Sequence, residues 1–280
     1  MAMVVQAAPV VVYEREVSQY RTAAAAATTH LPGATQLEPN DPGLANALHD
    51  APVIVAVGRK ALAAVLAIAH DKPVVFSMVL GVTRADVSNN VTGVPLESDP
   101  ADVLARIHQV LPHAKTLGVV YDPNEVGLLV DRARVAAQKV GISLVETAVS
   151  GGAQARDACE ALAPKVDALW IPPEPRLYSH DLFRFLLTVA SERKVPLFGF
   201  LESSTRDGAL GSVSPDFAGN GDRAGQLAEE IAALPENKRI PVPGLVYAPG
   251  DLSLNLGTAR AFGLDIPAGV VASAGSHVIP

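Results

Sequence analysis

Side chains able to do chemistry are thinly scattered along this chain, and the spacings that catalysis requires are missing. Seven histidines, at positions 30, 49, 70, 108, 113, 180 and 277, include no i, i+4 pair with an acidic neighbour, so no zincin-type metal site is expected. Cys159 is the single cysteine, which excludes an intramolecular disulfide; it lies among Ala and Leu and reads as a packing residue. No phosphate-cradling Gly-Lys-Ser/Thr loop and no Gly-x-Ser-x-Gly elbow occur, and Gly58 lacks the companion glycines of a dinucleotide fingerprint. Neither a catalytic group nor a cofactor is expected. What remains is binding chemistry. Polar, aromatic and sulfur-bearing side chains follow directly on six short apolar runs: Tyr13 and Glu14; Gly58 and Arg59; Ser77, Met78 and Leu80; Tyr121, Asn124 and Glu125; Pro173 and Glu174; Phe200 and Glu202.

The elements that must position them alternate. β-branched runs at 10–13, 50–57, 73–78, 116–121, 142–147, 168–171, 195–200 and 209–213 read as strands, with a weaker one at 34–37 and a short one at 245–247. Between them lie helical stretches at 19–29, 42–48, 59–70, 101–111, 125–140, 153–163, 179–193, 216–234 and 253–262. Leu62, Val65, Leu66 and Ala69 recur as one apolar helix face, and Gly141 stands where a C-terminal cap glycine would. Continuous apolar strands joined by helices predict parallel strands in doubly wound sheets. The number of units is too high for one sheet. A polar, turn-rich stretch at 84–93 separates two sets, so two α/β lobes are expected. Their expected extents are 1–92 with about 214–244, and 94–212 with about 246–280, with hinge strands near 90–94, 212–215 and 246–248. In such sheets ligands bind beyond the carboxyl ends of the strands, which is where the six segments fall.

Composition narrows the function classes. Hydrophobic residues make up 49% and charged residues 18% of the 280, the reverse of a disordered chain. Aromatics are only 5%, so Ala, Val and Leu must build the core. The formal charge is −7 with no basic block, so nucleic acid has no electrostatic footprint; the acidic balance suits a monomer. No apolar run reaches the roughly 20 residues of a membrane span, and the N-terminus shows no basic signal region, so the chain is expected to be either cytoplasmic or mature with its leader removed.

Five motifs in order carry a resemblance. They are Asn90-Val91-Thr92-Gly93-Val94, Leu111-Pro112-His113-Ala114-Lys115 running into Tyr121-Asp122-Pro123-Asn124-Glu125, Val166-Asp167-Ala168-Leu169-Trp170-Ile171-Pro172, Gly208-Ala209-Leu210, and Asn255-Leu256-Gly257 running to Asp265-Ile266-Pro267. Over roughly residues 50–272 the chain resembles the ABC-transporter substrate-binding proteins of the tryptophan/tyrosine-binding type. That resemblance implies two Rossmann-like lobes joined by a multi-strand hinge, of the type I periplasmic-binding-protein kind. It implies a non-enzymatic binder that captures a small molecule between its lobes and presents the closed form to a membrane transporter. It also implies a periplasmic or lipid-anchored protein without its leader.

Against that family the six segments look apolar. Where relatives carry a Gly-Thr pair, Gly58 is followed by Arg59 and Lys60. Where they carry Thr and Asp, this chain has Ser77-Met78-Val79-Leu80, and the loop after Ile171 is Pro172-Pro173-Glu174-Pro175. An amino-acid zwitterion needs buried partners for both its charges. Their loss predicts a largely apolar or amphipathic guest, lipid-like or of sterol type, with Tyr13, Glu14, Tyr121, Glu125, Glu174 or Glu202 serving one polar handle. Bland readings stand beside this one. Met78 to Leu80 can end a core strand, Arg59 can form a cross-lobe salt bridge, and Glu125 can cap a helix. An amino-acid ligand, an enzyme on this fold and a ligand-sensing domain are the alternatives.

Overall fold

The computed structural model describes residues 7–174 and 176–280. Contacts divide the chain into two units. One comprises Met1–Glu97 and Asp216–Ala248, the other Ser98–Pro215 and Pro249–Pro280. The chain therefore passes from one unit to the other three times.

The first unit begins β1 (Val10–Tyr13), α1 (Ser18–Thr28), β2 (Thr35–Leu37), α2 (Leu44–Asp50), β3 (Ile54–Val57), α3 (Arg59–Leu66), β4 (Val74–Val79) and β5 (Val91–Pro95). The second follows with α4 (Pro100–Val110), β6 (Thr116–Tyr121), α5 (Pro123–Lys139), β7 (Ser143–Ala148), α6 (Gly152–Leu162), β8 (Ala168–Trp170), α7 (His180–Arg193), β9 (Leu197–Gly199), α8 (Glu202–Arg206) and β10 (Gly211–Pro215). Helix α9 (Phe217–Ala232) returns to the first unit. The second closes with β11 (Gly250–Asn255), α10 (Leu256–Phe262), α11 (Ala268–Ala274) and β12 (Val278–Ile279).

In the first unit the order is β2-β1-β3-β4-β5 and every pairing is parallel. The inner strands β1, β3 and β4 are buried throughout because both faces are covered, while β2 at the edge is largely exposed. Val11, Val55, Val57 and Val75 pack with Ala23, Ala24 and Ala27 of α1 and with Ala224, Leu227 and Ile231 of α9. Val10, Val12, Ile54, Ala56 and Phe76 pack on the other face with Leu48, Leu62 and Val65. The Ala run of α1 is small for a reason. A Cβ on Gly225 of α9 would stand 2.5 Å from the Ala27 carbonyl oxygen, so the two helices touch backbone to backbone.

The second unit has the order β12-β11-β10-β9-β8-β6-β7, parallel except for the β10–β11 pair. Cys159, Leu162, Leu186 and Val189 cover one face with Val120 and Leu169, and burial pushes the Cys159 thiol up to about 11, which fits a packing role. Helices α4, α5, α7, α9 and α10 each begin on a side-chain cap, supplied by Asp99, Asp122, Ser179, Asp216 and Asn255.

Several expectations need correction. The stretch expected as a linker at 84–93 runs into β5, which pairs with β4, so the first unit extends to Glu97 rather than ending near residue 92. The helix expected over 253–262 is a strand followed by a shorter helix, because Gly250–Asn255 finds a ladder partner in β10. Residues 245–247 form no strand. Val246 donates one backbone hydrogen bond to Gly93 but belongs to no ladder. Helix α3 stops at Leu66, four residues short, and Glu202–Arg206 adds a helix that is not among the expected elements.

Candidate functional site

A doubly wound sheet opens a crevice where successive connections leave in opposite directions. In the first unit that point lies between β1 and β3, since β2 and β3 flank β1. Glu14 follows β1, and Gly58, Arg59 and Lys60 follow β3. Lys60 Nζ donates to Glu14 Oε1 at 2.8 Å and spans the crevice. Gly58 has φ +88°, and a Cβ there would meet the Tyr20 ring at 2.6 Å, so both the turn and the close approach require glycine. Tyr13 is buried and donates to Gln36 Oε1 at 2.9 Å.

Arg59 is engaged within its own unit, and its partner there is not across the lobes. Its guanidinium pairs with Asp86 of the same unit and donates to the carbonyls of Leu80 and Gly81 at 2.9 and 3.2 Å. It clamps the loop after β4. Met78 is core: 3% exposed, packed with Val57, Val75 and Val94, and at φ +58° where the β4–β5 register slips. Asn220 of α9 holds that conformation. Its Oδ1 accepts from Ser77 Oγ at 2.7 Å and from the Met78 N–H at 3.1 Å, while its Nδ2 donates to Pro95 O at 2.5 Å. Ser77 is thus committed internally, and of the three only Leu80 is part-exposed.

In the second unit the equivalent point lies between β6 and β8. Asp122 caps α5 by accepting from the Asn124 N–H at 2.9 Å, so Glu125 is not the cap; it pairs with Arg176 at 2.7 Å. Glu174 lies 4% exposed in the proline-rich loop after β8, and its two oxygens face the Asp122 N–H at 3.2 and 3.3 Å. Burial, and then the negative charges of Asp122 and Glu125, push its carboxyl up to about 7. Pro173 is buried beside it, and Pro175 lies outside the described residues. Asn124 is exposed and Phe200 half-buried. Tyr121 turns toward β7 and donates to Glu146 Oε2 at 3.1 Å, on a carboxylate already gripped by Arg134. Glu202 starts α8; Arg206 donates to its Oε1 at 2.5 Å and His277 Nδ1 lies 3.2 Å from its Oε2, Arg206 first in holding its carboxyl below the usual range.

Sequence reasoning missed two residues. Asn220 stands on the buried face of α9 with Ala224, Leu227, Ala228 and Ile231, one amide in an apolar stripe, and that was a readable signal. Glu97 sits 3% exposed after β5 and accepts from the Gly81 N–H at 2.6 Å; its sequence context, Pro-Leu-Glu-Ser-Asp-Pro, reads only as a turn. Among the described residues no group of three or more His, Cys, Asp or Glu could hold a metal ion, and no helix is long and apolar enough to cross a membrane.

Comparison with known proteins gives three findings. Residues 44–278 match the family described as ABC transporter substrate binding protein. The Tyrosine-binding protein of Clostridioides difficile (strain R20291) is 28% identical over 202 residues, 71% of this chain; that match spans 54% of the relative, about half its length. Solved structures align over nearly the whole chain. An ABC domain from Streptococcus pneumonia in complex with L-Trp has 18% identity and a TM-score of 0.60, covering 97% of this chain and 98% of that one. A ligand-free, open substrate-binding protein with adhesive properties from Clostridium difficile has 18% identity and a TM-score of 0.62 at the same coverage. A conserved domain protein from Vibrio cholerae has 23% identity and a TM-score of 0.60, covering 98% and 100%. These structures share the fold: two α/β units of the periplasmic-binding-protein kind. An apolar, sterol-type guest finds no support here: the Clostridioides difficile relative is described as tyrosine-binding, and the Streptococcus pneumonia structure holds L-Trp.

Proposed function

The chain belongs to the ABC transporter substrate-binding protein family, and from that premise we propose that it captures an aromatic amino acid outside the cytoplasmic membrane and delivers it to a membrane transporter. The observation that carries the ligand class is Glu174. A carboxylate taken out of water needs a cation or several donors, or it holds a proton instead. Glu174 has one backbone N–H at long range, and the adjacent charges of Asp122 and Glu125 are of its own sign. The neighbouring cation, Arg176, bonds Glu125. A ligand ammonium would supply the missing positive charge, which a sterol has no group to do. The apolar look of the segments has another origin. Met78 and Pro173 are buried, and Ser77 is bonded internally, so they say little about the guest.

A thermal-shift screen of the twenty amino acids tests this reading. Tyrosine, tryptophan or phenylalanine should raise the unfolding temperature in proportion to the logarithm of concentration. At about 100 times Kd the stabilisation should be about 2.7 kcal/mol. A shift with dispersed cholesterol and with no amino acid would reject it.

A further inference from the structure

We propose that the free carboxylate oxygen of Glu97, Oε2, accepts a hydrogen bond from a cationic nitrogen of the ligand; this rests on the amino-acid reading and deepens it by naming a recognition residue in the first unit. Four observations meet there. Glu97 follows β5, at the carboxyl edge of an all-parallel sheet, where such folds receive their ligands. Its Oε1 accepts from the Gly81 N–H at 2.6 Å, which ties that oxygen to the loop after β4. Oε2 is buried and has no hydrogen-bond partner. The loop that fixes it is itself clamped. Arg59 binds the Leu80 and Gly81 carbonyls, and Thr83 and Asp86 bond each other across the next turn.

Such an oxygen is costly in either protonation state. Ionised, it has backbone N–H groups of Glu97 and Val82 nearby but no well-aligned donor and no bonded cation; protonated, its hydroxyl lacks an acceptor. Burial pushes the carboxyl up to about 7, so desolvation outweighs the donors present. Arg59 acts on it only through space, because its guanidinium is engaged by Asp86 and the two carbonyls. A cationic N–H donor satisfies the oxygen and keeps the charge. A neutral donor would satisfy the oxygen but leave the charge unmatched.

The test uses the full chain and three probes: L-tyrosine, its analogue 3-(4-hydroxyphenyl)propionate, which lacks the ammonium, and methylammonium. Glu97→Gln should weaken L-tyrosine binding by about tenfold to a hundredfold, as expected for loss of a charged hydrogen bond. It should leave the binding of the propionate analogue unchanged. Equal tyrosine affinity in wild type and variant overturns the assignment. Failure of the wild type to bind any amino acid would reject the proposed function, and a second measurement then decides Glu97 alone. In carbon-13 spectra of labelled wild type, methylammonium should lower the titration midpoint of the Glu97 carboxyl while sodium at equal concentration does not. No effect of methylammonium overturns the assignment. The same titration decides the matter should Glu97→Gln not fold.

Discussion

Glu97 and Glu174 are acids kept from water, and each holds its proton more tightly in the folded chain than in the unfolded one. Burial raises both carboxyls from the ordinary 4.5 to about 7. The sign follows from linkage. The folded state binds more protons, so the stability each group contributes is fully present below about 4.5 and is lost as pH rises through about 7. The unliganded protein should therefore weaken between pH 5 and 8. Glu97→Gln or Glu174→Gln should flatten that fall by about 1–3 kcal/mol, read from urea midpoints at several pH values. Ligand affinity should move the opposite way. An ammonium binds an ionised carboxylate better than a protonated one, so the affinity for tyrosine should rise across the same window. Glu174 stands out in the sequence because it lies in the short loop after a strand, where parallel sheets meet ligands. Glu97 does not. Its burial depends on Gly81, sixteen residues away in another loop, and nothing local announces that contact. The partners of Arg59 are not legible either, since Asp86, Leu80 and Gly81 come together only through the turn after β4.

At the scale of elements, the first unit depends on how closely α1 and α9 approach. Gly225→Ala would press a methyl group into the Ala27 backbone, which has no rotamer to yield. A loss of about 2–4 kcal/mol is expected in chemical denaturation. Asn220→Ala tests the other function of α9. It would strand Ser77 Oγ, the Met78 N–H and the Pro95 carbonyl inside the unit, at a cost of about 2–4 kcal/mol. The helix pair is also joined by His30, which meets Asp222 at 2.7 Å and Glu229 at 3.4 Å. The hydrogen bond with Asp222 is the main cause that raises its ring above the usual 6.5. That contribution is complete below about 6.5 and is lost as pH rises through the raised value. His30→Gln should remove it, measured as a smaller drop in unfolding temperature between pH 6 and 8. Helices were well marked in the sequence because their apolar faces repeat locally. The ends of the chain were harder. Leu252 and Leu254 alternate over too few residues to announce β11, which exists because β10 supplies an antiparallel partner. Residues 245–247 look like a strand, but only one backbone bond from Val246 to Gly93 awaits them.

For the molecule as a whole, the repeated architecture was readable because alternation persists over the full length. Ordered motifs then identified the family. Each unit presents the same device at its switch point: an acid after the first strand, a cation two or more residues beyond the third, and an ion pair between them. Glu14 pairs with Lys60 in one unit and Glu125 with Arg176 in the other. The ligand class was not readable. Absent hydroxyl and amide side chains point to a greasy guest, whereas on the proposed reading recognition turns on which carboxylates folding removes from water, and burial by distant loops is hard to see in a sequence. Calorimetric titration of the whole chain with L-tyrosine and L-tryptophan at pH 7.5 is the most direct measurement. The account predicts saturable one-site binding of at least one of them, weakened about tenfold or more by Glu174→Gln. Flat titrations with both, beside saturable binding of a sterol, would contradict it.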